Sequence, residues 1–120
     1  MSTGERRQSR RTSANGLEID LCTRNWLGRW MPPHRVIGAD LSHHGLAVIT
    51  PLKLKEGQLL RLTIGNRQHR LLDLPARVIR AEARGADFLY GIRFELDDLS
   101  QAARRSYDTL LKLLQDSVSH

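Results

Sequence analysis

Six short runs with the two-residue period of strands, then one run with a helical period, predict a mainly β domain. The expected architecture is a small six-stranded antiparallel barrel with a C-terminal α-helix packed against it. A polar, basic N-terminal stretch precedes the first run, and 120 residues fit one such domain with one modest core.

Residues 1–16 hold Ser, Thr, Gly and Asn without apolar periodicity, and read as a flexible basic arm. Residues 17–120 read as the barrel with its helix. Leu17, Ile19 and Leu21 alternate with Glu18, Asp20 and Cys22, as in a half-buried strand. Asn25 to Pro33 is a connection, punctuated by Gly28 and the Pro32-Pro33 pair. Arg35–Leu41 and Leu46–Thr50 are two β-rich runs joined by a turn over Ser42–Gly45. Leu60, Leu62 and Ile64 alternate with Arg61 and Thr63, and Gly65-Asn66 marks a hairpin turn. A fifth strand is expected around Ala76–Ala83, and Tyr90, Ile92 and Phe94 outline the sixth.

The period then changes. Ser100 is placed to cap a helix, with Asp98 and Gln101 as an alternative capping box. Ala103, Tyr107, Leu110, Leu111 and Leu114 form one apolar stripe over residues 100–116. A barrel this small fills its interior with side chains, so a ligand must bind on its outside or rim.

Composition narrows the partners. The net charge of +6 favours anionic ones, and of 19 basic residues 16 are arginine. Arginine's planar fork makes paired hydrogen bonds to phosphate and to the O6/N7 edge of guanine, and it stacks on flat rings. Codon bias enriches arginine too, so position has to decide. No apolar run is long enough to span a membrane, and no apolar segment follows the basic N-terminus as in a secretory signal. A cytoplasmic protein without membrane insertion is the expectation. The lone Cys22 excludes an internal disulfide.

Two clusters carry candidate chemistry. Arg6-Arg7-Gln8-Ser9-Arg10-Arg11 crowds four guanidiniums into six residues, which suits a multiply charged anion but equally a solvated tail. Asp40-Leu41-Ser42-His43-His44-Gly45 sits at a strand end and turn. Asp40 can accept from the amino and imino groups of guanine, Ser42 can donate and accept, and Gly45 permits a sharp turn or a close approach. Taken alone, these are ordinary turn residues.

Together the clusters are more specific. An Arg-Arg-x-x-x-Arg element followed by Asp-x-Ser-x-x-Gly resembles the signature of the PilZ family. Asp40, Ser42 and Gly45 match each fixed position of the second element, and 28 residues separate Arg11 from Asp40. Ala76-Arg77-Val78-Ile79-Arg80 and Tyr90-Gly91-Ile92-Arg93-Phe94 are similar to the family's last two strands. The resemblance implies a receptor for cyclic-di-GMP with no further cofactor, and the sequence offers no Gly-rich phosphate loop or paired catalytic carboxylates that would suggest an enzyme. It implies that Arg7 and Arg11 hold phosphates and the guanine Hoogsteen edge while Asp40 and Ser42 hold guanine from the barrel. Gly45 then shapes the turn. Arg6 and Arg10 also stand four apart, so the register stays open. Arg7/Arg11 is preferred because it leaves Arg6 just before the motif, where an arginine is associated with two intercalated cyclic-di-GMP molecules. Arg80 matches a position that stacks on a base, although strict alternation from Val78 would turn it inward. An arm that closes over the ligand would signal to a separate, unidentified effector protein in motility, pilus, biofilm or exopolysaccharide control.

Other readings compete. A small basic barrel can bind nucleic acid non-specifically, but Tyr90 and Phe94 alternate in core phase rather than forming a stacking platform. A PilZ-like adaptor without ligand is a third reading. His43 and His44 are adjacent and project differently, which suits turn residues better than metal ligands. Asp97-Asp98 fits a helix start. Trp26 and Trp30 are expected to cap the barrel mouth, with an exposed patch for a protein partner as the alternative.

Overall fold

The computed structural model describes residues 11–13 and 16–118. Its strands are β1 (Arg11–Ser13), β2 (Glu18–Cys22), β3 (His34–Ser42), β4 (Gly45–Thr50), β5 (Leu59–Gly65), β6 (Arg70–Arg84) and β7 (Asp87–Phe94). A single 3-10 turn at Leu96–Asp98 leads into helix α1 (Gln101–Val118). All strand pairs are antiparallel. The order β3-β2-β5-β6-β7-β4 closes through a β3–β4 pairing into a six-stranded barrel, as expected. Closure leaves few open strand edges.

Alternation decides what goes inside. Ile19 and Leu21, Leu60, Leu62 and Ile64, and Tyr90, Ile92 and Phe94 all point inward and are buried. The helix closes one end of this core with Tyr107, Leu111 and Leu114. Ala103, counted in the helical stripe from sequence, is exposed, so the buried face starts one turn later. Ser100 caps the helix: its Oγ accepts from the Ala103 backbone N–H at 3.1 Å.

Two strands depart from the expectation. β6 begins at Arg70 rather than near Ala76, because a bulge opposite β5 interrupts its alternation. Leu72 is turned outward there, and Asp73 takes a left-handed conformation (φ 51°). Within the N-terminal stretch, residues 11–13 form β1. β2 occupies one edge of β3 only from His34 to Val36, and β1 takes the same edge from Asp40 to Ser42.

Candidate functional site

Asp40 and Arg80 are each aimed outward by a β-bulge. In β3, Val36 and Gly38 face the core, and unbroken alternation would bury Asp40 as well. The register instead shifts between Gly38 and Asp40, with Gly38 opposite Val48 and Asp40 opposite Ala47. Ala39 is the extra residue. Leu41 then takes the inward place, fully buried, and Asp40 faces out. β6 repeats the device: Val78 pairs with Ile92 and Arg80 with Gly91, so Ile79 is extra and 51% exposed. The inward orientation that alternation gave Arg80 is therefore corrected.

The bulges align four residues in one row across four strands. Asp40 lies opposite Ala47, Ala47 opposite Gly91, and Gly91 opposite Arg80. Three strand spacings put the Asp40 and Arg80 backbones about 14 Å apart. Between them stand a methyl group and a hydrogen, which leaves a trough. The Arg80 side chain lies across Gly91: a Cβ added at Gly91 would sit 3.5 Å from Arg80 Cβ and 3.8 Å from Nη2. On the far side of Asp40, β1 extends the row, with Ser13 opposite Asp40 and Arg11 opposite Ser42.

The turn after Asp40 is held from several sides. Ser42 Oγ donates to the Gly45 carbonyl at 3.2 Å and accepts from the His44 N–H at 3.3 Å. The Phe94 N–H donates to the His44 carbonyl at 2.9 Å. The Tyr107 hydroxyl donates to the His43 carbonyl, and His43 Nε2 lies 3.4 Å from Asp108 Oδ1 on the same helix. Burial first, then the neighbouring Asp108, holds the Tyr107 phenol well above its ordinary pKa, which keeps it a donor. Gly45 acts through close approach: a Cβ there would lie 2.0 Å from the Ile92 carbonyl oxygen of β7. Its role is to let β4 start flush against β7.

These residues line an open depression of about 470 Å³, within the usual range for small-molecule sites. Asp40, Ser42, Gly45 and Arg80 all border it, so the structure brings together four site residues taken from sequence. Arg6, Arg7 and Arg10 lie outside the described residues, and Arg11 enters through its backbone. His44, read from sequence as a turn residue, also lines the depression, and so do Arg84 and Arg93, which were missed because nothing in one sequence marks which strand residues share a face with the motif. The lining holds three arginines, Arg80, Arg84 and Arg93, and one carboxylate, Asp40, while Ile49, Ile79 and Leu89 add an apolar border. That chemistry suits a flat, anionic ligand.

A family model described as PilZ domain matches residues 5–112. The chain belongs to the PilZ family. The matched PilZ span takes in both motifs, the whole barrel and most of α1. The fold is similar to that of YcgR from Escherichia coli in complex with c-di-GMP, with a TM-score of 0.66 at 20% identity. That likeness covers 95% of this PilZ chain and 48% of YcgR. The isolated PilZ domain of YcgR with c-di-GMP gives 0.65 at 20% identity, covering 93% of both chains. The Bacillus subtilis inhibitor of motility, MotI, gives 0.60 at 20% identity over 93% of this chain and 50% of its own. The chain thus spans about half the length of these YcgR and MotI chains. No curated protein sequence matches it.

The tryptophans do not cap the barrel mouth. Trp26 is 90% exposed on the β2–β3 loop. Trp30 lies under two guanidiniums, with Arg61 Cζ at 4.5 Å and Arg24 Cζ at 5.5 Å from its ring centre. Burial, reinforced by Asp73 and Asp20, raises the Cys22 thiol, which opposes a nucleophilic role.

Proposed function

We propose that this PilZ domain is a cyclic-di-GMP receptor that binds the dinucleotide in the trough between Asp40 and Arg80. The observation that carries the reading is the outward row Asp40–Ala47–Gly91–Arg80 with the Arg11 backbone beside Ser42. A guanine on the small residues Ala47 and Gly91 offers its N1–H and N2–H₂ to the Asp40 carboxylate. Ser42 keeps a second lone pair for the ligand while its first shapes the turn. Arg80 stacks on or pairs with a base, and Arg7 and Arg11 take phosphates and the guanine O6/N7 edge. Arg6 and Arg10 supply the second pair of cations, which suits two intercalated molecules. Fixing the arm costs conformational entropy, and charge-assisted bonds to phosphate offset it. The closed arm alters the surface beside β3, which a separate cytoplasmic effector reads. The site offers binding groups and no catalytic frame.

Calorimetry with cyclic-di-GMP on the wild type and on Arg7→Ala, Asp40→Ala and Arg80→Ala tests this. Binding by the wild type, weakened at least tenfold in each variant with unchanged melting temperature, supports the site. Undiminished binding in Asp40→Ala and Arg80→Ala would sink it. Stoichiometry separates one ligand from two, and amide exchange over residues 5–12 that stays equally fast with saturating ligand would exclude arm closure.

A further inference from the structure

The β2–β3 loop presents its most apolar side chains to solvent. Trp26 is 90% exposed, more than any other large hydrophobic residue described, and Leu27 (59%) and Met31 (41%) are exposed beside it in sequence. Exposure of this kind usually accompanies a loose backbone, but here the backbone is closed on itself. Asn25 Oδ1 accepts from the N–H groups of Leu27 at 2.9 Å and Arg29 at 3.0 Å. The Asn25 N–H donates to the Arg29 carbonyl, Gly28 N–H to the Asn25 carbonyl, and Met31 N–H to the Thr23 carbonyl, all at 2.8–2.9 Å. Pro32 and Pro33 have no N–H to satisfy. Trp30, held beneath Arg61 and Arg24, braces the base. The loop is closed by its own hydrogen bonds, which take up the N–H groups of Asn25, Leu27, Gly28, Arg29 and Met31.

The surroundings are cationic. Arg24 and Arg29 flank the tip, and the turn carrying Lys55, Gly57 and Gln58 borders it across a polar depression. Glu56 is the one acid on that turn. An apolar, amide-satisfied tip inside a basic collar fits an anionic bilayer surface: the headgroup region takes the arginines, and the indole and leucine enter the acyl boundary. A bilayer favours inserted backbone donors that are paired internally, as those of Leu27 and Gly28 are.

We propose that the Trp26-Leu27 tip docks this chain on anionic lipid membranes by shallow insertion, without any segment crossing. No described helix is long and apolar enough to cross a membrane. The tip precedes His34 at the start of β3, and Ser42 ends that strand, about 25 Å away. Neither Trp26 nor Leu27 lines the trough, so substituting them leaves the trough's own residues in place.

The test uses Trp30→Phe, which leaves Trp26 as the only tryptophan, and vesicles of phosphatidylglycerol mixed equally with phosphatidylcholine, against phosphatidylcholine alone. Trp26 emission is expected to shift to shorter wavelength, and to be quenched by brominated acyl chains, with the anionic vesicles only. In the Trp30-containing protein, Trp26→Ser/Leu27→Ser is expected to lower vesicle affinity roughly tenfold or more at an unchanged melting temperature. Its cyclic-di-GMP titration is expected to match the wild type. Vesicle binding that persists undiminished in the double variant would mean attraction by the basic arm alone, and overturns the proposal. Trp26 emission unmoved by either vesicle overturns it as well, and leaves the tip to a protein partner.

Discussion

The Tyr107 hydroxyl donates to the backbone carbonyl of His43, so helix α1 holds the turn that follows Asp40 and Ser42. The rings of His43 and Tyr107 meet edge to face at 5.6 Å, and Tyr107 meets Phe94 of β7 at 5.8 Å. One buried side chain thus ties the helix, the turn and the last strand together. A change at the trough has a physical route to the helix through this contact.

Tyr107→Phe keeps the ring packing and leaves the His43 carbonyl without this donor. The expected loss is about 1–2 kcal/mol, or roughly 4–8 °C in melting temperature. Thermal denaturation of the variant against the wild type reads it. Cyclic-di-GMP affinity should fall by less than in Asp40→Ala, because the turn loosens while the ligand-facing groups remain.

The same phenol predicts a pH dependence. Its folded pKa lies above the unfolded value of about 10, so the neutral form is favoured in the fold. A group shifted upward contributes its full stability below the unfolded pKa and loses it as pH rises toward the folded one. Wild-type stability should therefore fall above about pH 10 more steeply than that of Tyr107→Phe. Urea denaturation of both proteins at pH values on either side of that point is the measurement, and parallel curves would contradict it.

Gly45→Ala addresses the β4–β7 seam. The added Cβ would lie 2.0 Å from the Ile92 carbonyl oxygen, a backbone atom that cannot move without opening the strand pair. A destabilisation of about 3 kcal/mol is expected, read as a shifted urea midpoint at unchanged slope. Ligand binding should weaken too, since Ala47 and Gly91, the floor of the trough, belong to these two strands.

Most of the barrel was legible because its inward residues alternate cleanly, from Ile19 and Leu21 to Ile92 and Phe94. The aim of Asp40 and Arg80 was not. A bulge adds one residue without a compositional signature, so Ala39 and Ile79 look like any other strand positions. Alternation from Val78 turned Arg80 inward, while Asp40 was placed by its motif and only the Ala39 bulge explains its outward aim. β1 was hidden for a related reason: three polar residues have no period, and only the edge of β3 left uncovered by β2 makes them a strand. Trp26 was misplaced because a tryptophan in a sequence says that its surface is apolar, not that anything covers it. The bonds from Asn25 Oδ1 that hold the loop open to solvent are local, but their pattern is common to many Asx turns.

The floor of the trough gives the sharpest mutational test of the site. Ala47 faces outward between Asp40 and Gly91, so a larger side chain there fills the trough without entering the core. Ala47→Phe should leave stability within about 0.5 kcal/mol, since an outward strand position accepts an aromatic residue. It should nevertheless reduce cyclic-di-GMP affinity by roughly a hundredfold or more, the equivalent of losing about 3 kcal/mol of contact. Gly91→Ala forms a graded companion. Its methyl would meet Arg80 at ordinary contact distance, 3.5–3.8 Å, so it should lower affinity only a few-fold. Calorimetry on the two variants, paired with melting curves, separates blocking of the trough from damage to the barrel. Equal affinity in wild type and Ala47→Phe would move the ligand off this face altogether.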